Sequence, residues 1–226
     1  MRRQPLLEGI DEEIRKTLYS YVGISSVSGS LGEREAQNSF LNFFRPLPYW
    51  KKHPDYLGSV PIPNDPRECG PAFAMVRGAG DDTVVLLHHT DVVTASNFKS
   101  LKSLAFSPEK LEKELFRLRA NFSDEVRADL ESGAYLYGRG VCDMKGGGAI
   151  QMALLHRYSD LVLQDPGSLP GTLIVLAVPD EENLSAGMRT AAALLARLQE
   201  EHHLRFRLAI DSEPHSRVNG QGVVSL

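Results

Sequence analysis

The sequence has 226 residues, of which 42% are hydrophobic and 24% are charged, close to the averages of soluble globular proteins. A chain of this length can bury a substantial core, and its composition excludes collagen, coiled coil and intrinsic disorder. A formal net charge of −4 provides no broad positive field, so we expect neither a nucleic acid nor a membrane as partner.

The two cysteines, Cys69 and Cys142, are too few for a disulfide framework, which fits a reducing cytoplasm. No apolar run approaches the roughly 18 residues that a membrane helix needs. Arg2 and Arg3 are not followed by the apolar stretch of a signal peptide, and acidic residues begin at Asp11. We therefore expect a soluble cytoplasmic protein.

The first part of the chain is predicted to form two helices and a loop. Apolar residues at helical spacing predict a helix over residues 11–24. Ser30 and Glu33 have the spacing of a capping box, which would begin a second helix that ends near Phe44. Residues 46–71, which are rich in proline, are expected to form a loop with short extended pieces.

Six short apolar runs predict strands, and three helices are expected between them. The strands are 72–76, 83–87, 135–137, 172–178, 205–210 and 222–226. The helices are expected within 108–132, where Ser123 lies near one helix start, over 144–161, and after Ser185, which is expected to be an N-cap. This alternation indicates an α/β protein with three α/β/α layers and a mainly parallel, mixed sheet.

Ligands of such sheets bind at the carboxyl ends of the strands, and four predicted strands end in groups that can bind a metal. The groups are His88, His89 and Asp91; Asp180, Glu181 and Glu182; Asp211 and Glu213; and Asp143. Clustered carboxylates repel one another unless a cation neutralises them. A mixture of imidazole and carboxylate suits zinc, manganese or cobalt better than calcium.

The glycine run 146–148 after Asp143 has two interpretations. It is either a simple entry into a helix or a cradle for phosphate. The second is disfavoured because no Gly-Lys-Ser/Thr sequence follows and because the surrounding residues are acidic.

Four segments resemble, in order, the motifs of the M20 metallopeptidase family: His89–Val93, Gly138–Gly147, Asp180–Glu182 and Ser212–Pro214. The segment Pro179–Arg189 is most similar to the RocB-like, arginine-utilisation branch of that family. The resemblance covers roughly residues 10–226. It implies a zinc-exopeptidase-like catalytic domain.

The resemblance implies two divalent metal ions, with zinc expected first and manganese or cobalt as alternatives. The implied ligands are His89, Asp143, Glu182 and Glu213, and Asp143 would bridge the two ions. Which ion Glu182 and Glu213 each bind is left open. The peptide bond between Asp143 and Met144 is implied to be cis.

Two further residues have implied roles in catalysis. Asp91 would accept a hydrogen bond from His89 and hold its ring. Glu181 would be the general base that accepts a proton from a metal-activated water and passes it to the leaving amine. The substrate would be a small peptide or an N-acyl amino acid, cleaved at its amide bond.

The sequence departs from the family pattern in three places. His88 replaces the usual glycine and is interpreted as a spectator. Residues 95–134 are predicted to be a helical insertion. Finally, the last histidine ligand and the lid or dimerisation domain are not found, so residues 1–226 are predicted to be the N-terminal part of a catalytic domain that dimerises only at full length. His215 is the nearest substitute for the missing ligand.

Other functions are weighed against this one. A catalytically inactive, truncated remnant would keep the motifs without turnover, as would a metal-binding or interaction fragment. A two-metal phosphatase or nuclease is disfavoured, because the sequence has no basic stripe and carries the Asp180–Glu182 motif.

Overall fold

A computed structural model describes residues 4–214 of the chain. The predicted strand 222–226 and His215 lie outside the described residues. The helices are α1 Gln4–Leu7, α2 Ile10–Val22, α3 Gly32–Phe44, α4 Pro48–Lys52, α5 Pro108–Arg117, α6 Asp124–Ser132, α7 Lys145–Gln164 and α8 Ala186–His202. The strands are β1 Leu57–Ser59, β2 Ala72–Arg77, β3 Asp82–His89, β4 Thr172–Val178 and β5 Arg205–Asp211. Short 3-10 helices span Pro54–Tyr56, Ser96–Leu104, Arg119–Asn121 and Pro166–Ser168.

The five strands form one mixed sheet in the order β1-β2-β4-β3-β5. Strands β4, β3 and β5 are parallel neighbours, whereas β2 runs antiparallel to both β1 and β4. His89 at the end of β3 is opposite Val178 at the end of β4. The carboxyl ends of the three parallel strands therefore meet at one edge of the sheet.

Helices cover both faces of the sheet, which confirms the predicted α/β/α architecture. The sequence of β4 explains this, because its residues alternate between two hydrophobic clusters. Val175 and Ala177 belong to the cluster formed with α2, α3, α4 and α7. Ile174 and Leu176 belong to the cluster that includes Leu194 and other residues of α8. Burial on both faces is typical of an inner strand of a sheet that is covered by helices on both sides.

Strand β5 is the exposed edge of the sheet. Among the described residues most of its side chains are exposed, including Leu208 and Ile210 at 48% and 43%, whereas Phe206 packs against the cluster that contains Leu194. The strand is held by its parallel ladder with β3, which has an irregularity between Thr83 and Val84. The end of this strand, which leads to Glu213, therefore depends on few side-chain contacts.

The predicted strand at 135–137 is wrong. These residues form an irregular segment between α6 and α7, and they pair with no described strand. Leu136 and Tyr137 instead border a cavity together with Leu111 and Leu115 of α5. Leu136 is 37% exposed, so this short apolar run marks neither a strand nor a buried position. Asp143 consequently comes from a loop, and only three strand ends supply the site.

Residues 46–71, predicted to be a loop with short extended pieces, also contain helix, and residues 95–134 are largely helical, as predicted. Residues 46–71 hold α4, a 3-10 helix and β1, and residues 95–134 hold α5, α6 and two 3-10 helices. Ser123 caps α6 as its sequence suggests, since its side chain accepts a hydrogen bond from the amide of Val126. Within residues 4–214, no helix has the length and apolar character needed to cross a bilayer.

Candidate metal centre

The centre lies at the carboxyl edge of the parallel strands. His89 is the last residue of β3, and Glu213 lies two residues beyond the end of β5. Glu181 and Glu182 follow the end of β4. Asp143 enters from the loop before α7, and the peptide bond between Asp143 and Met144 is cis, as expected.

His89, Asp143 and Glu213 come together in space. Each offers one ligand atom, and the three atoms lie within 4.8 Å of one another. The Nε2 atom of His89 is 2.8 Å from Asp143 Oδ1 and 3.6 Å from Glu213 Oε2. His89 is buried, whereas about half of each carboxylate side chain is exposed. One imidazole and two carboxylates at these separations fit a divalent cation that a small substrate could reach from solvent.

The two neighbouring glutamates lie beside this group. Glu181 Oε2 is 3.9 Å from His89 Nε2, and its side chain is 47% exposed. Glu182 is not part of the three-residue group, so the structure assembles three of the four ligands that the resemblance implies. Its backbone amide is nevertheless held at the site by Asp91.

The charges at the centre are unbalanced. Burial raises the pKa of Glu182, and the nearby charge of Asp143 raises it further. The pKa of Glu213 is raised for the same two reasons. Burial lowers the pKa of His89, but Asp91, Asp143 and Glu213 together outweigh that effect and raise it. A divalent cation would relieve this excess of negative charge.

Asp91 connects the two main motifs, although not by the expected contact. Its buried carboxylate accepts hydrogen bonds from the amides of Glu181 at 3.0 Å and Glu182 at 3.1 Å, and from Ser28 Oγ at 2.7 Å. The Nδ1 atom of His89 bonds instead to the backbone carbonyl of Asp91 at 2.9 Å, while the carboxylate is 3.6 Å away. The expected side-chain bond to His89 is replaced because three other donors occupy the carboxylate.

The turn that carries Glu181 begins at Asp180, which has a left-handed backbone with φ of 66°. The buried carboxylate of Glu33 accepts a hydrogen bond from the Asp180 amide at 3.0 Å and pairs with Arg67. The Asp180 carboxylate accepts a hydrogen bond from the amide of Ala186 at 3.0 Å, at the start of α8. The three consecutive backbone amides of Asp180, Glu181 and Glu182 thus donate to the buried carboxylates of Glu33 and Asp91.

The roles of Glu33 and Ser185 differ from the sequence-based expectation. Glu33 does not close a capping box with Ser30, whose hydroxyl accepts a hydrogen bond from the amide of Gly32. Glu33 turns inward because Arg67 and the Asp180 amide lie there. Ser185 precedes α8, but its side chain does not cap the helix. Glu33 and Arg67 were not identified from the sequence as site residues, and an isolated acidic residue in a helix offers no signal for such a role.

A buried lysine fixes the start of α7. The Nζ atom of Lys145 donates hydrogen bonds to the carbonyls of Tyr21 at 3.0 Å and Ile24 at 2.8 Å, at the end of α2. Lys145 is fully buried and lies two residues after Asp143. The loop that supplies Asp143 is therefore anchored to the first long helix.

Comparison with known proteins identifies this combination of motifs. Residues 85–224 match the model of the family described as peptidase family M20/M25/M40. Protein RocB of Bacillus subtilis (strain 168) is 32% identical over 204 residues, which cover 89% of this chain and 35% of RocB. The chain thus spans about a third of the length of that relative. Succinyl-diaminopimelate desuccinylase of Xylella fastidiosa (strain M12) is 33% identical over 119 residues, covering 52% of this chain and 25% of that protein.

A solved structure agrees with these relatives in fold. The crystal structure of human carnosine dipeptidase 1 matches with a TM-score of 0.56 and 18% sequence identity. The match covers 92% of this chain and 39% of the dipeptidase. At that identity the likeness establishes the shared fold.

Proposed function

This chain belongs to peptidase family M20/M25/M40, where it lies on the RocB-like branch, and we propose that it forms the metal-binding part of a metal-dependent hydrolase. The observation that carries the proposal is the convergence of His89, Asp143 and Glu213 at the carboxyl edge of the parallel strands. The bond cleaved would be an amide of a small peptide or an N-acyl amino acid, in the cytoplasm. Both substrate classes have a counterpart among the relatives, one named a desuccinylase and the other a dipeptidase.

The site would hold two divalent cations, zinc above all. His89, Asp143 and Glu213 offer the ligand atoms that are already grouped together. Glu182 would be the fourth ligand. Asp143 would be shared by the two cations, since its half-exposed carboxylate offers two oxygens. The mixed nitrogen and oxygen donors favour zinc over calcium.

A bound cation at this site would lower the pKa of water and polarise the substrate carbonyl. Glu181 would act as the general base. Its half-exposed carboxylate would accept the proton from the attacking water and later donate it to the leaving nitrogen. Asp91 would keep Glu181 and Glu182 at fixed positions through their backbone amides. Adjacent glutamates can then serve different purposes, one as base and one as ligand.

The experiment that tests this proposal combines metal content with hydrolysis. The purified chain is assayed for bound zinc and then for cleavage of N-acyl amino acids and dipeptides, with added zinc, manganese or cobalt. Metal-dependent hydrolysis supports the proposal. Metal binding without hydrolysis supports the alternative, a metal-binding fragment without turnover, and the absence of both contradicts the metal centre itself.

A further inference from the structure

A chain of buried hydrogen bonds starts at His88, next to the candidate ligand His89. Both ring nitrogens of His88 have partners: Nδ1 is 2.8 Å from Gln151 Oε1, and Nε2 is 3.2 Å from the hydroxyl of Tyr21. An amide oxygen can only accept, so the proton of the neutral ring is on Nδ1, and Nε2 accepts from Tyr21. His88 is fully buried. It is therefore a fixed link between α2 and α7.

The chain continues through Gln151 to the end of β5. The Nε2 atom of Gln151 donates hydrogen bonds to the carbonyl of Leu87 at 2.7 Å and to Ser212 Oγ at 2.6 Å. The amide of Ser212 donates to the same Leu87 carbonyl at 3.2 Å. Each polar atom of the Gln151 side chain thus has a partner, and the chain ends one residue before Glu213.

Two glycines of α7 allow this arrangement. A β-carbon on Gly147 would collide with the side chain of Ser212, and one on Gly148 would lie 2.6 Å from the ring of His88. The glycine run 146–148 therefore lets the helix approach both residues closely. This close approach explains the run without a phosphate site.

We propose that His88 and Gln151 act as positioning residues that fix Ser212, and through it Glu213, relative to His89. The inference rests on the proposed metal centre. Among the described residues, β5 is held mainly by its backbone ladder with β3, and Gln151 adds a side-chain anchor at the far end of the strand. The site requires Glu213 within a few tenths of an ångström of a ligand position, and a free strand end does not provide that precision.

The test replaces Gln151 with methionine, which keeps the volume and removes every hydrogen bond. The matched control is Gln37→Met. Gln37 lies in α3 and is also buried. Its side-chain oxygen accepts a hydrogen bond from the amide of Gly70, just before β2, and two strands separate β2 from β5 in the sheet. Two quantities are measured: amide hydrogen exchange at Ser212 by NMR, and zinc affinity by competition with a chromophoric chelator. Ser212→Ala, which removes one partly exposed contact, serves as a second variant if Gln151→Met does not fold.

We expect exchange at residue 212 to accelerate about tenfold and zinc affinity to fall about tenfold in Gln151→Met, with a smaller change in the same direction in Ser212→Ala. Gln37→Met should leave both quantities unchanged. Unchanged exchange at residue 212 in the Gln151 and Ser212 variants overturns the positioning role. If the unsubstituted chain binds no zinc, the proposed function fails, and the exchange rates still decide whether Gln151 fixes the strand end.

Discussion

The carboxylate of Asp91 accepts a hydrogen bond from the backbone amide of Glu181 at 3.0 Å, across 90 residues of sequence. This contact joins the end of β3 to the turn after β4. Because Asp91 lies two residues after His89, the same segment supplies an imidazole to the metal centre and holds the proposed base. The two motifs are therefore parts of one rigid unit.

Replacing Asp91 with asparagine tests this connection. The amide keeps the size of the side chain but provides one oxygen for three donors, namely the two backbone amides and Ser28 Oγ. We expect the free energy of unfolding to fall by about 1–3 kcal/mol, because buried donors lose their partners. The measurement is urea denaturation. Ser28→Ala is the control with a smaller loss, and equal stabilities of Asp91→Asn and the unsubstituted chain would contradict the account.

Glu181 and Glu182 should respond differently to the same substitution. In a form of the protein that is active, Glu181→Gln should leave the metal content nearly unchanged and reduce turnover about 10²–10⁴-fold, the usual contribution of a positioned acid–base group. Glu182→Gln should instead reduce the metal content. Metal analysis and hydrolysis rates of the two variants distinguish the roles, and normal turnover by Glu181→Gln would exclude it as the base.

His88 should make the protein sensitive to acid. Complete burial lowers the pKa of His88 to about 4, compared with 6.5 for an unperturbed histidine. The unfolded chain therefore binds the proton more tightly, so this stabilising contribution is present above pH 6.5 and is lost as the pH falls toward 4. The full difference is about 3 kcal/mol. Unfolding free energies measured from pH 7 to pH 4 should fall less steeply in His88→Gln, and identical slopes would contradict the burial argument.

The buried carboxylate of Glu33 should contribute more to the free energy of unfolding than the exposed carboxylate of Glu68. Glu33 pairs with Arg67 and binds the Asp180 amide. Burial raises the pKa of Glu33 to about 7. At pH 8, where most of the carboxylate is charged, its replacement by glutamine should destabilise the fold by about 1–3 kcal/mol, because one amide oxygen then serves the two donors Arg67 and the Asp180 amide. The matched control is Glu68→Gln, since Glu68 forms an exposed pair with Arg34 at 2.9 Å. The control should change stability by less than about 1 kcal/mol, and similar losses in both variants would refute the comparison.

The buried strands are predicted well, because each consists of consecutive apolar residues that can be recognised in the sequence without knowledge of the fold. Strand β4 is predicted with its observed bounds, and the bounds of β2 differ at one end by one residue. The prediction fails at 135–137, where partly exposed apolar residues border a cavity beside α5 and no strand forms. A run of three residues carries too little periodicity to separate these two environments.

The candidate site is predictable only in part. The residue types at the strand ends, His89 and Glu213 among them, follow from the parallel sheet and the motifs. The supporting contacts do not follow, because they join distant segments: Glu33 binds the amide of Asp180 across 147 residues. The sequence likewise does not predict the partners of His88, whose two ring nitrogens bond to Tyr21 and Gln151. Such partners depend on three-dimensional packing.

The most direct test of the metal centre is a crystal structure of the chain grown with zinc, with anomalous data collected on both sides of the zinc absorption edge. The account predicts an anomalous peak between His89, Asp143 and Glu213, with metal–ligand distances of about 2.0–2.2 Å. The Glu182 carboxylate should lie at the same centre. A well-ordered site with no peak between these residues, or zinc bound only elsewhere on the protein, would contradict the account.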